Sequence, residues 1–139
     1  MKTKLIISLS VLIAAISAGC ASGGMFTASN ITEVQLQKNN FIIVARNVSG
    51  EAEAGYLLGS TFSLGMMTNT VAVLRVSGTG MLYKEAFDDL WKNYEAAHGP
   101  VEGKKLALVN VRYDADALNL FVYTRPKVMI RADVVEFTN

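Results

Sequence analysis

The sequence predicts an α+β fold, a single domain in which an antiparallel sheet of about 4–5 strands packs against one main amphipathic helix at about residues 80–97. Three observations lead there. One run, Met81 to Ala97, repeats its large apolar residues at spacings of three and four, the period of a helix with a single buried face. Runs on both sides of it alternate apolar with polar residues, as half-buried strands do. Clusters of Asn, Gly and Pro between these runs read as turns.

The chain opens with Lys2 and Lys4, an apolar run from Leu5 to Ala18, and the small residues of Ser17-Ala18-Gly19-Cys20. A charged start, a short apolar stretch and small residues before a cleavage point form the layout of a secretory signal. The apolar run covers 14 residues and is interrupted by Ser8, Ser10 and Ser17, against roughly 20 needed for a spanning helix. A cysteine directly after the small residues resembles the lipobox of bacterial lipoprotein signal peptides. That resemblance implies a lipidated Cys20 as the first residue of the mature chain, with a diacylglyceryl group and commonly an amide-linked third chain of the palmitate type. Several chains hold where one holds only marginally, because each buried methylene contributes about 0.8 kcal/mol. Residues 1–19 are therefore expected to be a signal peptide, 20–30 a lipidated flexible tether, and 31–139 the α+β domain. The resemblance also implies a membrane partner. Ala21 stands where an aspartate would mark inner-membrane retention in the enteric pathway, which points to the outer membrane, facing the periplasm.

Removing residues 1–19 leaves 120 of 139, enough for one domain and too few for two. Lys2 and Lys4 leave with the signal, so 11 basic residues face 12 acidic ones and the formal charge is −1. Nucleic acid would demand a basic patch or stripe, so it is not an expected partner. Cys20 is the only cysteine, and acylation consumes its thiol. Disulfides and thiolate metal ligands are thereby excluded, no cofactor is expected, and stability must come from an apolar core.

From Ile31 the pattern is strand-like. Val34 and Leu36 alternate with polar neighbours, and Phe41 to Ala45 is a β-branched-rich run bounded by Asn39-Asn40 and Asn47. From Ser49 to Tyr56, Glu51, Glu53 and Gly55 share one strand face while Ala52, Ala54 and Tyr56 share the other. Small alanines beside glycines suit a place where another backbone, such as a helix, comes close. Gly59 to Gly80 reads equally as a loop, an extra strand or a short helix. No charge occurs between Glu53 and Arg75, so this apolar segment is expected either inside the core or in an interface, self-association among them. Helix 81–97 starts after Thr79 as N-cap, buries Tyr83, Phe87, Leu90, Trp91 and Tyr94, and pairs Asp88 with Lys92 and Asp89 with Asn93 on its polar side. Gly99-Pro100 ends it. Leu106 to Tyr113 follows as a strand, with Ala107, Val109, Val111 and Tyr113 on one face. Asp114-Ala115-Asp116-Ala117 reads as a turn and Leu118 to Thr124 as the next strand. Pro126 marks a strand start, an edge or a bulge, and Val128, Ile130, Ala132 and Val134 line the core face of the last strand.

No set of residues assembles a reactive centre by its spacing. His98, the only imidazole, has no nucleophile or carboxylate in a local motif and reads as a cap at the end of the helix. One His and one committed Cys do not make a zinc site, and no metal is expected. Glu51 with Glu53, and Glu85 with Asp88 and Asp89, read as solvated faces. Asp114 and Asp116 have the first spacing of a calcium loop, but Leu118 takes the next ligand position and Asn119 the required glycine. Arg125, Lys127 and Arg131 share one strand parity and read as a wet outer face or a contact for anionic groups. No catalytic residue and no ligand-binding residue is assigned.

The residues Asn39-Asn40-Phe41, Val48-Ser49-Gly50-Glu51-Ala52 with Gly55-Tyr56, the helix ending near His98, Ala107 to Val111 and Ala132 to Phe137 resemble a family of small uncharacterised bacterial lipoproteins. The arrangement is also similar to YbjQ and TRL-like domains, α+β sandwiches that carry no catalytic group in these motifs. The resemblance implies a non-enzymatic, membrane-anchored envelope lipoprotein, a structural or interaction module capable of forming homo-oligomers. The other expectation is a small-ligand or peptide-binding module that uses the Gly59–Gly80 segment as an apolar pocket.

Overall fold

The computed structural model describes residues 25–27, 40–64, 67–120 and 122–138. Cys20, the segment expected to be a signal peptide and the alternating Val34 and Leu36 lie outside the described residues. The elements run β1 (Met25–Thr27), β2 (Phe41–Glu53), β3 (Gly55–Leu64), β4 (Met67–Ser77), α1 (Leu82–His98), β5 (Leu106–Leu120) and β6 (Tyr123–Phe137). All the strand pairings are antiparallel. Among the described residues the fold is α+β and mostly sheet, with five long strands, the short β1 and one helix.

β6 is the central strand, and its sequence explains why. Val128, Ile130, Ala132 and Val134 alternate onto one face and are all buried, as their spacing predicts. β5 lies along one side of β6 for its whole length. The other side is shared in line by β2, opposite Lys127 to Phe137, and by β3, opposite Tyr123 and Thr124. The handover falls at Pro126, whose carbonyl accepts the Ala54 N–H at 3.2 Å and which has no N–H of its own to give. β1 adds to the far edge of β5, with Met25 opposite Ala115 and Thr27 opposite Tyr113. Part of the stretch expected to be a tether is thus a strand.

Asp114 to Ala117 is not a turn. β5 runs through it, and the chain reverses between Leu120 and Tyr123. Asp–Ala alternation turns both carboxylates to the outer face, with Asp116 opposite Lys127, and buries Ala117. An opposite-charge cross-strand pair favours a strand there.

The core face of β5 also differs from the simple alternation. Leu106 and Leu108 pack on the core before a register slip between Val109 and Arg112, and Val111 and Tyr113 do so after it. Asn110 takes φ 54° in that slip, and one extra residue switches the parity of everything beyond it. A matching slip in β2 holds Asn47, also at φ 54°, so the two runs expected on either side of Asn47 form one bent strand. Both bulges are held by one buried carboxylate on the strand between them. Asp133 Oδ1 accepts the Asn47 backbone N–H at 2.8 Å and Oδ2 accepts the Asn110 side-chain amide at 2.9 Å. Burial alone would push the Asp133 pKa up. The two hydrogen bonds, with Arg46 and Arg112 nearby, outweigh it and hold the group below the ordinary carboxylate value.

α1 crosses the face of β2 and β6 on the stripe Leu82, Ala86, Leu90 and Tyr94, all buried at intervals of four. Tyr83, Phe87 and Trp91 flank it half-buried, the first two meeting Tyr113 at ring distances of 6.0 and 6.1 Å. Gly50 sets the depth of this contact. A Cβ there would stand 2.2 Å from both the Ala86 carbonyl oxygen and the Leu90 nitrogen, so the helix backbone rests on the strand backbone. The N-cap position is Met81 rather than Thr79. The Thr79 hydroxyl accepts the Met81 N–H at 3.2 Å, and Glu85 reaches back to the Thr79 N–H at 3.3 Å. The charged pair on the outer side is Lys84–Asp88 at 2.5 Å, in place of the expected Asp88–Lys92.

Candidate functional site

The segment Gly59 to Gly80, legible in sequence as apolar and free of charge up to Arg75, contains the distal part of β3 and all of β4. Leu58 bends β3 by adopting φ 49°, unusual for a γ-branched residue, while its N–H still donates to the Val122 carbonyl at 3.0 Å. Beyond the bend, Thr61 lands on the end of the β5–β6 hairpin. The Asn119 amide there replaces a ladder strand. Its oxygen accepts the Thr61 N–H at 2.8 Å and its nitrogen donates to the Thr61 carbonyl at 2.9 Å. The Thr124 hydroxyl lies 2.6 Å from the same amide oxygen and 3.1 Å from the Thr61 hydroxyl, which meets that of Thr70 at 2.9 Å. Thr61 and Thr124 are buried. Four polar side chains from four strands pin the hairpin to the sheet.

That arrangement decides which way the hairpin faces. Thr61 and Thr70 are cross-strand partners on the inward side, with Gly59 and Ala72 beside them. The opposite parity, Ser60, Phe62, Asn69, Val71 and Val73, is exposed throughout. Phe62 is 46% exposed, Val71 68% and Val73 78%, with Leu58 at 57% beside them. From Ala54 to Leu74 no residue carries a charge. The hairpin meets the protein through Thr61 and Thr70 and exposes Phe62, Val71 and Val73 beside the polar Ser60 and Asn69, while Leu57 and Leu74, on the Thr61–Thr70 parity, are also exposed near its base.

The residues singled out by spacing are placed as follows. Cys20 lies outside the described residues. His98 stacks on Tyr94 at 4.7 Å, its Nδ1 lies 3.2 Å from the Tyr94 carbonyl, and it stands at the exposed end of α1. Glu51 and Glu53 pair across the sheet with Lys127 at 2.7 Å and Arg125 at 3.7 Å. Both pairs are about half-exposed, and such bridges contribute little. Arg131 turns to the Met129 sulfur at 3.1 Å. Asp114, Asp116, Lys127 and Met129 line a shallow concavity on this outer face. Asp89 is not merely solvated. It accepts the Glu51 N–H at 3.0 Å while Asn93, bonded to Asp89 at 3.2 Å, donates to the Ser49 carbonyl at 2.9 Å. The helix thereby occupies hydrogen-bonding groups of β2 on the side away from β6. Among the described residues no three His, Cys, Asp or Glu side chains gather as a metal site, and no helix is long and apolar enough to cross a membrane.

The alternation of the last strand puts Asp133 with Lys127, Met129 and Arg131 on a wet face, but Asp133 is buried because its carboxylate holds both bulges, and the spacing assigned neither it nor Asn119 that kind of role. A weak signal existed, since Asn47, Asn110 and Asn119 interrupt strand-forming runs in which Asn is disfavoured. The comparisons with known proteins add one result. No curated protein and no solved structure matches the chain. The profile of DUF6567, a family of unknown function, matches residues 1–139, and the chain belongs to that family.

Proposed function

We propose that this member of DUF6567 is a non-enzymatic, lipid-anchored envelope protein, tied to the bacterial outer membrane through Cys20 and acting through a contact surface. The observation that carries the contact surface is the outward face of the β3–β4 hairpin, where Phe62, Val71 and Val73 are exposed on an element pinned from behind by Asn119 and Thr124. The anchor itself is supported by the lipobox-like Ser17-Ala18-Gly19-Cys20. The likeness to YbjQ and TRL-like domains belongs to the same reading. A ligand pocket roofed by this segment is disfavoured, because these apolar side chains project away from the sheet.

The test is the N-terminal peptide of the protein purified from membranes. It is expected to begin at Cys20 and to carry the mass of diacylglyceryl and amide-linked acyl groups. Cys20→Ser is expected to abolish both the cleavage and the added mass. An unmodified Cys20 in the wild-type chain would end the lipoprotein reading.

A further inference from the structure

We infer that the outward face of the β3–β4 hairpin contacts the same lipid surface that the acyl chains of Cys20 enter, making it a second, protein-borne membrane attachment. This rests on the lipid-anchor reading and adds what that reading lacks, an orientation. A short tether limits how far the domain stands from the bilayer but leaves it free to turn.

The geometry ties anchor and hairpin to one end of the molecule. Cys20 precedes Met25 by five residues, a reach of at most roughly 18 Å. Met25 stands opposite Ala115, in the half of β5 nearer the β5–β6 turn. β1 is antiparallel to β5, so Met25 is the end of β1 closer to that turn. Asn119, which pins the hairpin, is four residues farther along β5, roughly 13 Å. The helix C-terminus and the Lys104–Lys105 loop belong to the other end, where β5 begins.

The chemistry of the face selects its occupant. A membrane-facing element satisfies its polar backbone and buried groups internally, as the Asn119–Thr61–Thr124–Thr70 cluster does behind the hairpin, and its outward face presents Phe62, Val71 and Val73 with only the uncharged Ser60 and Asn69 between them. No charge interrupts residues 54–74. A β3–β4 hairpin of this length suits shallow contact with the head-group and acyl boundary.

The lipidated full chain, bound to vesicles of phosphatidylethanolamine and phosphatidylglycerol, tests the inference. Acylation leaves no native thiol, so Val71→Cys and Lys104→Cys each offer one site for an environment-sensitive fluorophore. In vesicles the label of the Val71→Cys protein is expected to shift to the blue and to be quenched several-fold more by nitroxide-bearing lipids than that of Lys104→Cys. Equal, water-like emission from both labels on vesicle-bound protein would overturn the inference and leave the anchor intact. Shielding of the Val71→Cys label in detergent-solubilised dimers, with cross-links between copies, would assign the face to a second copy and also overturn it. A Cys20 that itself takes the label would show that the anchor reading has failed, and this inference with it.

Discussion

Two elements cover the same face of the sheet, and they are built in opposite senses. α1 is apolar inward and charged outward. Leu82, Ala86, Leu90 and Tyr94 are buried, while Lys84, Asp88, Lys92 and Glu95 are exposed. The β3–β4 hairpin is held from behind by the polar side chains of Asn119 and three threonines and presents the uncharged, mainly apolar set Phe62, Val71 and Val73 outward. The first is held by burial, contributing about 1.5–3 kcal/mol for each large side chain removed from water. The second is held by hydrogen bonds whose net worth is about 1 kcal/mol each. The difference teaches that the hairpin is not one more layer of the core. Its position is fixed by direction-specific bonds so that its apolar side stays free.

Three substitutions break or sharpen this comparison. Gly50→Ala attacks the helix side, where the added Cβ meets backbone atoms that cannot move aside. The expected loss is about 3 kcal/mol or more by denaturant unfolding; a loss below about 1 kcal/mol would show that α1 does not rest on the strand as described.

Asp133→Ala should come next, at about 2–3 kcal/mol, because it strands the Asn47 N–H and the Asn110 amide behind two left-handed bulges. Its acid dependence carries a sign. The folded-state pKa of Asp133 is lowered, so its stabilisation is complete above the unfolded carboxylate value of about 3.9 and is lost as pH falls through the folded value. The stability gap between wild type and Asp133→Ala should therefore narrow on acidification below about pH 4. A gap that widens there would contradict the assignment.

Asn119→Ala should cost least, about 1–2 kcal/mol, and locally. Amide exchange is expected to accelerate in β3 and β4 beyond Leu58 while β6 keeps its protection. Uniform acceleration across the sheet would mean that the hairpin is part of the core after all.

Some of this was legible in the chain. The helix and the burial of Leu90 and Tyr94 followed from its period, while Tyr83, Phe87 and Trp91 only flank the stripe and Leu82 and Ala86, which complete it, were overlooked. The closeness of a helix backbone was foreshadowed by Gly50, Ala52 and Ala54. The continuity of β5 was not legible, because Asp114 to Ala117 has turn-forming composition and its strand state comes from pairing with β6, where Asp116 meets Lys127 eleven residues on. The bulges were hidden for a similar reason. Asn47 and Asn110 depend on Asp133, separated from them by 86 and 23 residues. For the contact surface, the charge-free stretch was visible, but nothing local told its inner face from its outer one.

By itself the sequence determined the α+β class, the helix and its amphipathic period, the core face of β6 and the absence of charge from residues 54 to 74. Those are properties of periodicity and composition, which neighbouring residues settle among themselves. Tertiary structure alone decided the register of β2 and β5 around Asp133, the bend at Leu58 and the outward turn of Phe62, Val71 and Val73. In a strand the two faces exchange on a shift of a single residue. Which face meets the protein is therefore fixed by distant partners, here Asn119 and Thr124, rather than by the strand's own pattern.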